Sequence, residues 1–275
     1  MPSKFFKPSI LSYLCLLGAA FPASAQNTQP GIFDENGFLD APQPDIVMQI
    51  RYGAQVQSPY FGSDDLEVGP DIGFRFDYVR FPGGFEYGSG QSVGFRRGWG
   101  LRGSIRYIGE RSSEDYSELT GLDTIDRTFE FGLGIGYEQE TYRAFADVRY
   151  GFFGHESFVA ELGADLITTP AKDWTLTFGP RILVGSDKYM DTYFGITPDE
   201  AAASNYSEYD AGAGLAEVGL ELTARYQLDE LWGFEAIVAW SKFVGDAADS
   251  PIVYGGSDEN LKIEIGVTRR IGIDF

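Results

Sequence analysis

Apolar residues occupy every second position along much of this sequence, in stretches long enough to cross a bilayer as strands. Between 129 and 137, Phe129, Phe131, Leu133, Ile135 and Tyr137 alternate with glycine or glutamate. The same alternation recurs at 46–56, 72–78, 158–166, 174–184 and 216–226. A period of two predicts β-strands that have one apolar face and one small or polar face.

The spacing of these stretches distinguishes a membrane barrel from a soluble sandwich. We predict strands at 45–57, 68–79, 84–89, 92–97, 99–109, 126–139, 142–152, 157–169, 173–185, 210–226, 231–243 and 260–275. From the fifth strand on, long connections alternate with short ones, which is the pattern of outer loops and periplasmic turns in a transmembrane barrel. The predicted fold is therefore all-β, a transmembrane antiparallel β-barrel of about twelve strands over residues 45–275. The glycine-rich region 80–98 could instead form one strand pair or a plug, which would leave about ten strands and the same parity.

The final predicted strand carries a second indication of a barrel. Leu261, Ile263 and Ile265 share one face, and the alternation continues to an aromatic residue at Phe275. A terminal aromatic on such a strand is the form that the outer-membrane assembly machinery reads. We therefore expect Phe275 to act as an assembly signal and that machinery to be a partner.

The N-terminal segment predicts export. Lys4 and Lys7 precede an apolar run over 10–21, and Ala23-Ser24-Ala25 supplies small residues at a signal-peptidase spacing. The apolar run is too short for a transmembrane helix, which needs roughly 20 apolar residues. We expect a signal peptide at 1–25, export through the Sec pathway and cleavage after Ala25. Residues 26–44, rich in Gln, Asn and Pro, then form a flexible periplasmic extension and a potential partner-binding segment.

Composition excludes several classes of protein. Removal of Lys4 and Lys7 with the signal peptide would change the formal charge from −20 to −22, which argues against nucleic-acid binding. The only cysteine, Cys15, lies in the signal peptide, so the exported chain would have neither a disulfide nor thiol chemistry. We expect contact with outer-membrane lipid and lipopolysaccharide and no cofactor.

The polar face of the predicted strands would line the lumen. By the alternation, the inward residues are Arg51, Arg75, Asp77, Arg102, Arg106, Glu130, Asp147, Arg149, Glu161, Arg181, Glu217, Glu221, Arg225 and Glu264. Because both signs of charge are present, neighbouring strands can form ion pairs across the sheet. One interpretation is a lumen plugged by salt bridges. The other is a narrow, porin-like conduit for small solutes or antibiotics, since charged rings can select ions.

Three loop segments resemble one family. They are Tyr60-Phe61-Gly62-Ser63-Asp64-Asp65, Tyr193-Phe194-Gly195-Ile196-Thr197 and Gly245-Asp246-Ala247-Ala248-Asp249-Ser250-Pro251-Ile252-Val253. In this order they are similar to loops of the MipA/OmpV family of outer-membrane proteins, and the resemblance runs from about residue 45 to the end. It implies a twelve-stranded barrel and a non-enzymatic scaffold that links a lytic transglycosylase to a peptidoglycan synthase. Other members resemble adhesins, osmotic-response porins or antibiotic-uptake proteins.

A lipid hydrolase is the alternative from another functional class. His155 and Ser157 stand two apart, as in outer-membrane hydrolases in which a histidine activates a serine. The register of Phe158, Ala160 and Leu162 directs even positions toward lipid, so His155 and Ser157 face inward or lie in a loop. We therefore interpret His155 as a surface or rim histidine and expect no catalytic residues.

Acidic and aromatic loop residues allow further interpretations. Asp64 to Glu67, Asp199-Glu200, and Asp246 with Asp249 could offer oxygen ligands to a divalent cation, but none has the spacing of a calcium loop of about twelve residues. We favour a solvated acidic rim and predict no metal site. Tyr and Trp near strand ends predict interfacial girdles. These are Tyr60, Trp99, Tyr107, Tyr150, Trp174, Tyr226, Trp232 and Trp240. Sugar binding is the alternative for the loop residues Tyr189, Tyr193 and Tyr206.

Overall fold

The computed structural model describes residues 44–80, 82, 86–88 and 98–274. The predicted signal peptide, the extension up to residue 43, the predicted strand at 92–97 and Phe275 lie outside the described residues. Those predictions stand as expectations.

Eleven strands form one sheet within the described part of the chain. They are β1 Ile46–Gln57, β2 Glu67–Arg80, β3 Glu86–Gly88, β4 Gly98–Ile108, β5 Thr128–Glu138, β6 Tyr142–Phe153, β7 Phe158–Thr168, β8 Trp174–Gly185, β9 Gly214–Gln227, β10 Trp232–Phe243 and β11 Glu259–Ile273. The order across the sheet is β3-β2-β1-β11-β10-β9-β8-β7-β6-β5-β4, and every neighbouring pair is antiparallel. Each strand corresponds to a predicted one, so the all-β barrel fold is confirmed.

Within the described residues, the first and last strands join the two halves of the sheet. β1 pairs with β11 along its whole length, from Ile46 opposite Ile273 to Gln57 opposite Lys262. The sheet curls so that its edge strands, β3 and β4, approach each other. These two strands run in the same direction, and an antiparallel closure requires an odd number of strands between them. The total of twelve stays a prediction, because 92–97 is not described.

The outer face of the sheet is apolar and the inner face is charged, as expected for a barrel in lipid. Leu133 on the outer face of β5 is 70% exposed, whereas Glu130 on its inner face is 0% exposed. The other strands show the same inversion of the pattern found in water-soluble proteins, which bury apolar side chains and expose charges. The outer surface therefore suits a bilayer. No helix in the described ranges is long and apolar enough to cross a membrane.

Aromatic pairs lie at both ends of the strands, where a bilayer meets water. At the end with short turns, the rings of Trp99 and Tyr137 are 5.2 Å apart. At the opposite end, the rings of Tyr107 and Phe129 are 5.1 Å apart. Two such belts are typical of transmembrane barrels, because aromatic rings favour the headgroup region.

The four long connections that the structure describes emerge at one end of the barrel, and three of them contain helices that the loop prediction did not include. These are a 3₁₀ turn Ser117–Leu119, α1 Asp187–Phe194, α2 Pro198–Ala203, α3 Asp246–Asp249 and α4 Pro251–Gly255. We call the four connections 58–66, 109–127, 186–213 and 244–258 the lid. Their buried apolar side chains form two clusters, which include Tyr189, Met190, Phe194, Leu119 and Ile252.

We expect an arginine on the outer face to oppose membrane folding. Leu133→Arg at the middle of β5 should lower the free energy of unfolding by about 2–4 kcal/mol, because a charge would enter the lipid near the midplane. Leu66→Arg, in the lid, is the matched control and should cost little. Urea unfolding in lipid vesicles measures both, and equal effects would contradict a lipid-facing β5.

Candidate functional site

The three family-like segments meet in the lid. The Phe61 ring lies 5.0 Å from the Tyr193 ring and 5.9 Å from the Phe194 ring. Ser250 Oγ, in the third segment, donates a hydrogen bond of 2.7 Å to the backbone oxygen of Phe194. Segments far apart in sequence thus form one packed unit, and their shared role is to build the lid.

Gly62 permits a close approach between the first and the third segment. Its φ of +96° is in the left-handed region that favours glycine, and a Cβ there would lie 3.1 Å from the Cα of Val253. Its carbonyl oxygen accepts a 2.8 Å hydrogen bond from the backbone N–H of Ser257. A larger residue would separate the first segment from the third. The neighbouring Ser63 is buried.

Some acidic lid residues accept hydrogen bonds within the lid, and others face solvent. Asp246 Oδ2 accepts from the backbone N–H of Gly212 at 2.9 Å, and the backbone oxygen of Asp246 accepts from the Tyr209 hydroxyl at 2.9 Å. Asp64 and Asp249 are exposed. In the described ranges, no group of three or more His, Cys, Asp or Glu side chains could hold a metal ion.

Glu200 fixes the start of α2 and ties it to a neighbouring loop. Its carboxylate accepts hydrogen bonds of 2.9 Å from the backbone N–H groups of Thr197 and Asp123, and Thr197 Oγ1 completes a capping box. Burial alone would raise the pKa of the Glu200 carboxyl, but these hydrogen bonds outweigh burial and lower its pKa.

His155 is buried between the barrel wall and α1. Its Nδ1 lies 2.8 Å from Ser157 Oγ, and its Nε2 lies 3.1 Å from Glu130 Oε1. The rings of His155 and Tyr189 are 5.0 Å apart, edge to face. Gly151 leaves space for the imidazole, since a Cβ there would lie 2.2 Å from Nε2. The interpretation of His155 as a surface histidine is wrong, because the turn between β6 and β7 places it under the lid.

The arrangement of Ser157, His155 and Glu130 is similar to a serine–base–carboxylate relay. However, Glu130 also pairs with Arg106 at 2.6 Å and with Arg149 at 2.8 Å. Ser157 is 7% exposed and lies inside the barrel. A lipid in the surrounding bilayer could not reach its hydroxyl, which argues against the hydrolase.

Ion pairs line the lumen below the lid. Arg51, only 8% exposed, contacts Asp71 at 2.5 Å, Glu235 at 2.6 Å and Glu264 at 2.8 Å. Arg225 pairs with Glu235 as well, and Arg75 lies 3.7 Å from it. One side of the lumen is thus a continuous network across five adjacent strands, β2, β1, β11, β10 and β9.

A second network covers the opposite wall. Arg149 contacts Glu161 at 2.7 Å, and Arg102 contacts Asp147 at 3.0 Å. Arg181 contacts Glu221 and Asp165, each at 2.8 Å. Asp71, Arg143, Asp165, Glu235 and Lys262 belong to these networks although they were not among the predicted inward residues. Each of them has the same odd or even parity as the inward residues of its strand, and this parity would have identified it.

A cavity of about 240 Å³ remains between the lid and these networks. Residues of β1, β4, β7, β8, β9, β10 and β11 line it, together with lid residues that include Tyr60 and Phe61. Among the predicted inward residues, Arg106, Glu161, Arg181, Glu217 and Glu221 reach it. Arg111 also lines it, although the strand alternation could not indicate a residue in a loop.

The fold and this site define a transmembrane β-barrel whose long loops form a packed lid over a charged lumen. Residues 51–271 match the model of the family described as MltA-interacting protein MipA, so the chain belongs to that family and the predicted resemblance is confirmed. No curated protein matches the sequence.

Several solved structures share a partial likeness. OprB of Pseudomonas putida is 12% identical with a TM-score of 0.34, over 63% of this chain and 44% of that one. OprG of Pseudomonas aeruginosa is 12% identical with a TM-score of 0.27, over 84% and 98%. CymD, a monoaromatic hydrocarbon channel, is 9% identical with a TM-score of 0.35, over 85% and 90%. This chain thus spans less than half of OprB.

We expect Glu200 to make lid stability depend on pH. Its pKa is lower in the folded lid than in the unfolded chain, so its contribution is present above the unfolded value of about 4.3 and is lost as the pH falls through the folded value. Glu200→Ala should cost about 1–3 kcal/mol locally at neutral pH, because two backbone N–H groups lose their acceptor.

Hydrogen exchange of 198–203 at neutral and acidic pH measures this effect. The exposed residue Glu208 provides the control substitution, Glu208→Ala, which should leave exchange unchanged. Identical exchange in the native protein and the Glu200→Ala variant would contradict the role of this cap.

Proposed function

We propose that this protein is a non-conducting outer-membrane scaffold that binds a cell-wall enzyme at its short-turn end. The packed lid carries the proposal, because a barrel closed at one end is suited to support other proteins rather than to pass solutes. The exposed apolar outer face and the aromatic belts support the outer membrane as its location.

Two barriers stand in the path of a solute. The first is the core of the lid, in which Tyr189, Met190 and Phe194 are buried. The second is the pair of ion-pair networks around Arg51 and Arg149, which occupy the lumen with side chains. Interiors of small barrels are filled in this way, whereas open aqueous channels belong to porins of about 16–18 strands.

The family description supports a partner in the cell wall. The words MltA-interacting protein describe binding to another protein, and for this chain we propose a lytic transglycosylase, with a peptidoglycan synthase as a further component. The periplasmic end offers the tight turns 139–141, 169–173 and 228–231. The last of these is held by side-chain hydrogen bonds, because Asp229 Oδ1 accepts hydrogen bonds of 2.8 Å from the backbone N–H groups of Leu231 and Trp232.

A narrow conduit is the second candidate, and the cavity beneath the lid is the observation that favours it. Conduction would require both the lid core to open and the ion pairs below it to separate. Breaking a buried ion pair costs about 3–5 kcal/mol, so repeated opening would need compensation from the solute.

We expect the refolded native protein to be silent in planar bilayers. Its correct folding is checked independently by heat-modifiable migration on a gel. Steady openings whose ion selectivity changes in Glu221→Gln, but not in the exposed lid variant Glu114→Gln, would contradict the closed scaffold and establish the conduit.

We also expect the native protein, immobilised in detergent, to retain a lytic transglycosylase. Reversing two exposed turn charges, Lys172→Glu with Glu230→Lys, should weaken retention at least about tenfold, since interface charges govern both encounter and specificity. Asp64→Lys, at the lid end, should leave retention unchanged. Loss of retention in the Asp64→Lys variant alone would place the partner at the lid end and contradict this proposal.

A further inference from the structure

The cavity beneath the lid has the size of a small-molecule site. Its volume of about 240 Å³ lies just below the range of about 300–1,000 Å³ that is usual for drug-sized ligands. Most charged groups around it are already matched. Arg106 contacts Glu130 at 2.6 Å, and Arg181 contacts Glu221 at 2.8 Å. The groups that are not matched therefore indicate which ligand chemistry would fit.

Arg111 is the basic group on the cavity wall that forms no ion pair with a described carboxylate, although the charge of Glu200 acts on it from a greater distance. It lies beyond β4, and its backbone is fixed by two hydrogen bonds with Ile125, of 3.0 Å and 2.9 Å. The residue is 5% exposed, and its Nη1 donates a 3.1 Å hydrogen bond to the backbone oxygen of Tyr193. Its buried Nε has no acceptor, and no carboxylate in the described part of the chain forms an ion pair with it. A buried cation without a direct ion pair is costly, and an anion in the cavity would relieve that cost.

Glu217 and Asn260 are the acceptors on the cavity wall. The Ser241 hydroxyl and the Asn260 amide both donate to the Glu217 carboxylate. Since the Asn260 amide nitrogen is used in this way, its Oδ1 is the free end, and this buried oxygen has no donor. Among the described residues, no basic side chain forms an ion pair with Glu217. This wall therefore suits a group with several N–H donors.

We propose that this cavity binds a small zwitterion, a free amino acid or a dipeptide. Its carboxylate pairs with the planar guanidinium of Arg111, and its ammonium group donates to Glu217 and Asn260. The neighbouring rings of Tyr60 and Phe61 offer an apolar surface to its side chain. A simple anion would satisfy only Arg111 and would meet the negative charges of the opposite wall. This site is separate from the proposed scaffold role and does not depend on conduction.

Titration calorimetry on the refolded full chain in detergent tests this proposal. The probes are L-phenylalanine and L-alanyl-L-alanine, with 3-phenylpropionate and phenethylamine as analogues that carry one charge each. We expect at least one zwitterion to bind, and each analogue to bind at least about tenfold more weakly than L-phenylalanine or not at all. Absence of binding by both zwitterions overturns the proposal. Equal binding by 3-phenylpropionate would leave a plain carboxylate site and also overturns it.

Variants locate the two ends of the ligand. Arg111→Gln and Glu217→Gln should each weaken zwitterion binding at least about tenfold, because each removes a charge-assisted contact. The exposed lid residues Arg127 and Glu114 provide the matched controls Arg127→Gln and Glu114→Gln, which should bind as the native protein does. Unchanged binding in both cavity variants would overturn the assignment.

A purely structural role for Arg111 predicts a different result. Because its charge is buried without a direct ion pair, Arg111→Gln should not lower the melting temperature of the unliganded barrel. Should Arg111→Gln fail to fold, Arg111→Lys keeps the charge but loses the planar fork. We expect that variant to fold and to bind the zwitterion at least about tenfold more weakly, and native affinity in it would count against the proposal.

Discussion

The confinement of charged side chains inside a lipid-facing sheet is the constraint on which this structure depends. Each strand must leave apolar residues on the outside and must pair all its backbone groups with neighbours. Charged residues on the inner face then lie in a confined space, and those buried away from water require a partner. Arg51 shows the result, since it binds carboxylates from three neighbouring strands.

The same constraint accounts for small residues beside the ion pairs. Gly134 on β5 lies beside Asp147 on β6, and a Cβ at Gly134 would lie 1.9 Å from Asp147 Oδ1. A glycine on one strand thus leaves room for a charged side chain of the next. The alternation of glycine with large apolar residues in the sequence therefore serves packing inside the lumen as well as contact with lipid.

Local periodicity was enough to predict the strands and which of their faces turns inward. The position of Glu130 or Arg149 follows from counting by two, because side chains alternate across a strand. Pairings such as Arg149 with Glu130 and Glu161 required the register between strands, which a single sequence does not provide. The family-like segments were recognisable, but not their mutual contacts. Phe61 and Phe194 are separated by most of the barrel in sequence and meet only after the sheet has closed.

The position of His155 could not be predicted from strand periodicity. Counting by two placed it inside or in a loop, yet its burial depends on α1, a lid helix contributed by a connection after β8. The direction of the Arg111 side chain could not be predicted for the same reason, since loop residues have no strand periodicity. The residues whose function is most open to inference therefore lie where the strand pattern ends and the lid begins.

The lumen and the cavity differ in how their buried arginines are neutralised, and this difference points to a ligand at the cavity. Below the lid, the arginines of both networks have carboxylate partners, so the interior shows that this fold can neutralise a buried cation wherever a neighbouring strand offers an acidic residue. At the cavity, Arg111 instead donates to the backbone of Tyr193, within lid helix α1. A ligand held by Arg111 would thus contact the barrel wall and the lid at once. Since the lid closes the barrel, occupancy of this cavity would stabilise the closed state by mass action.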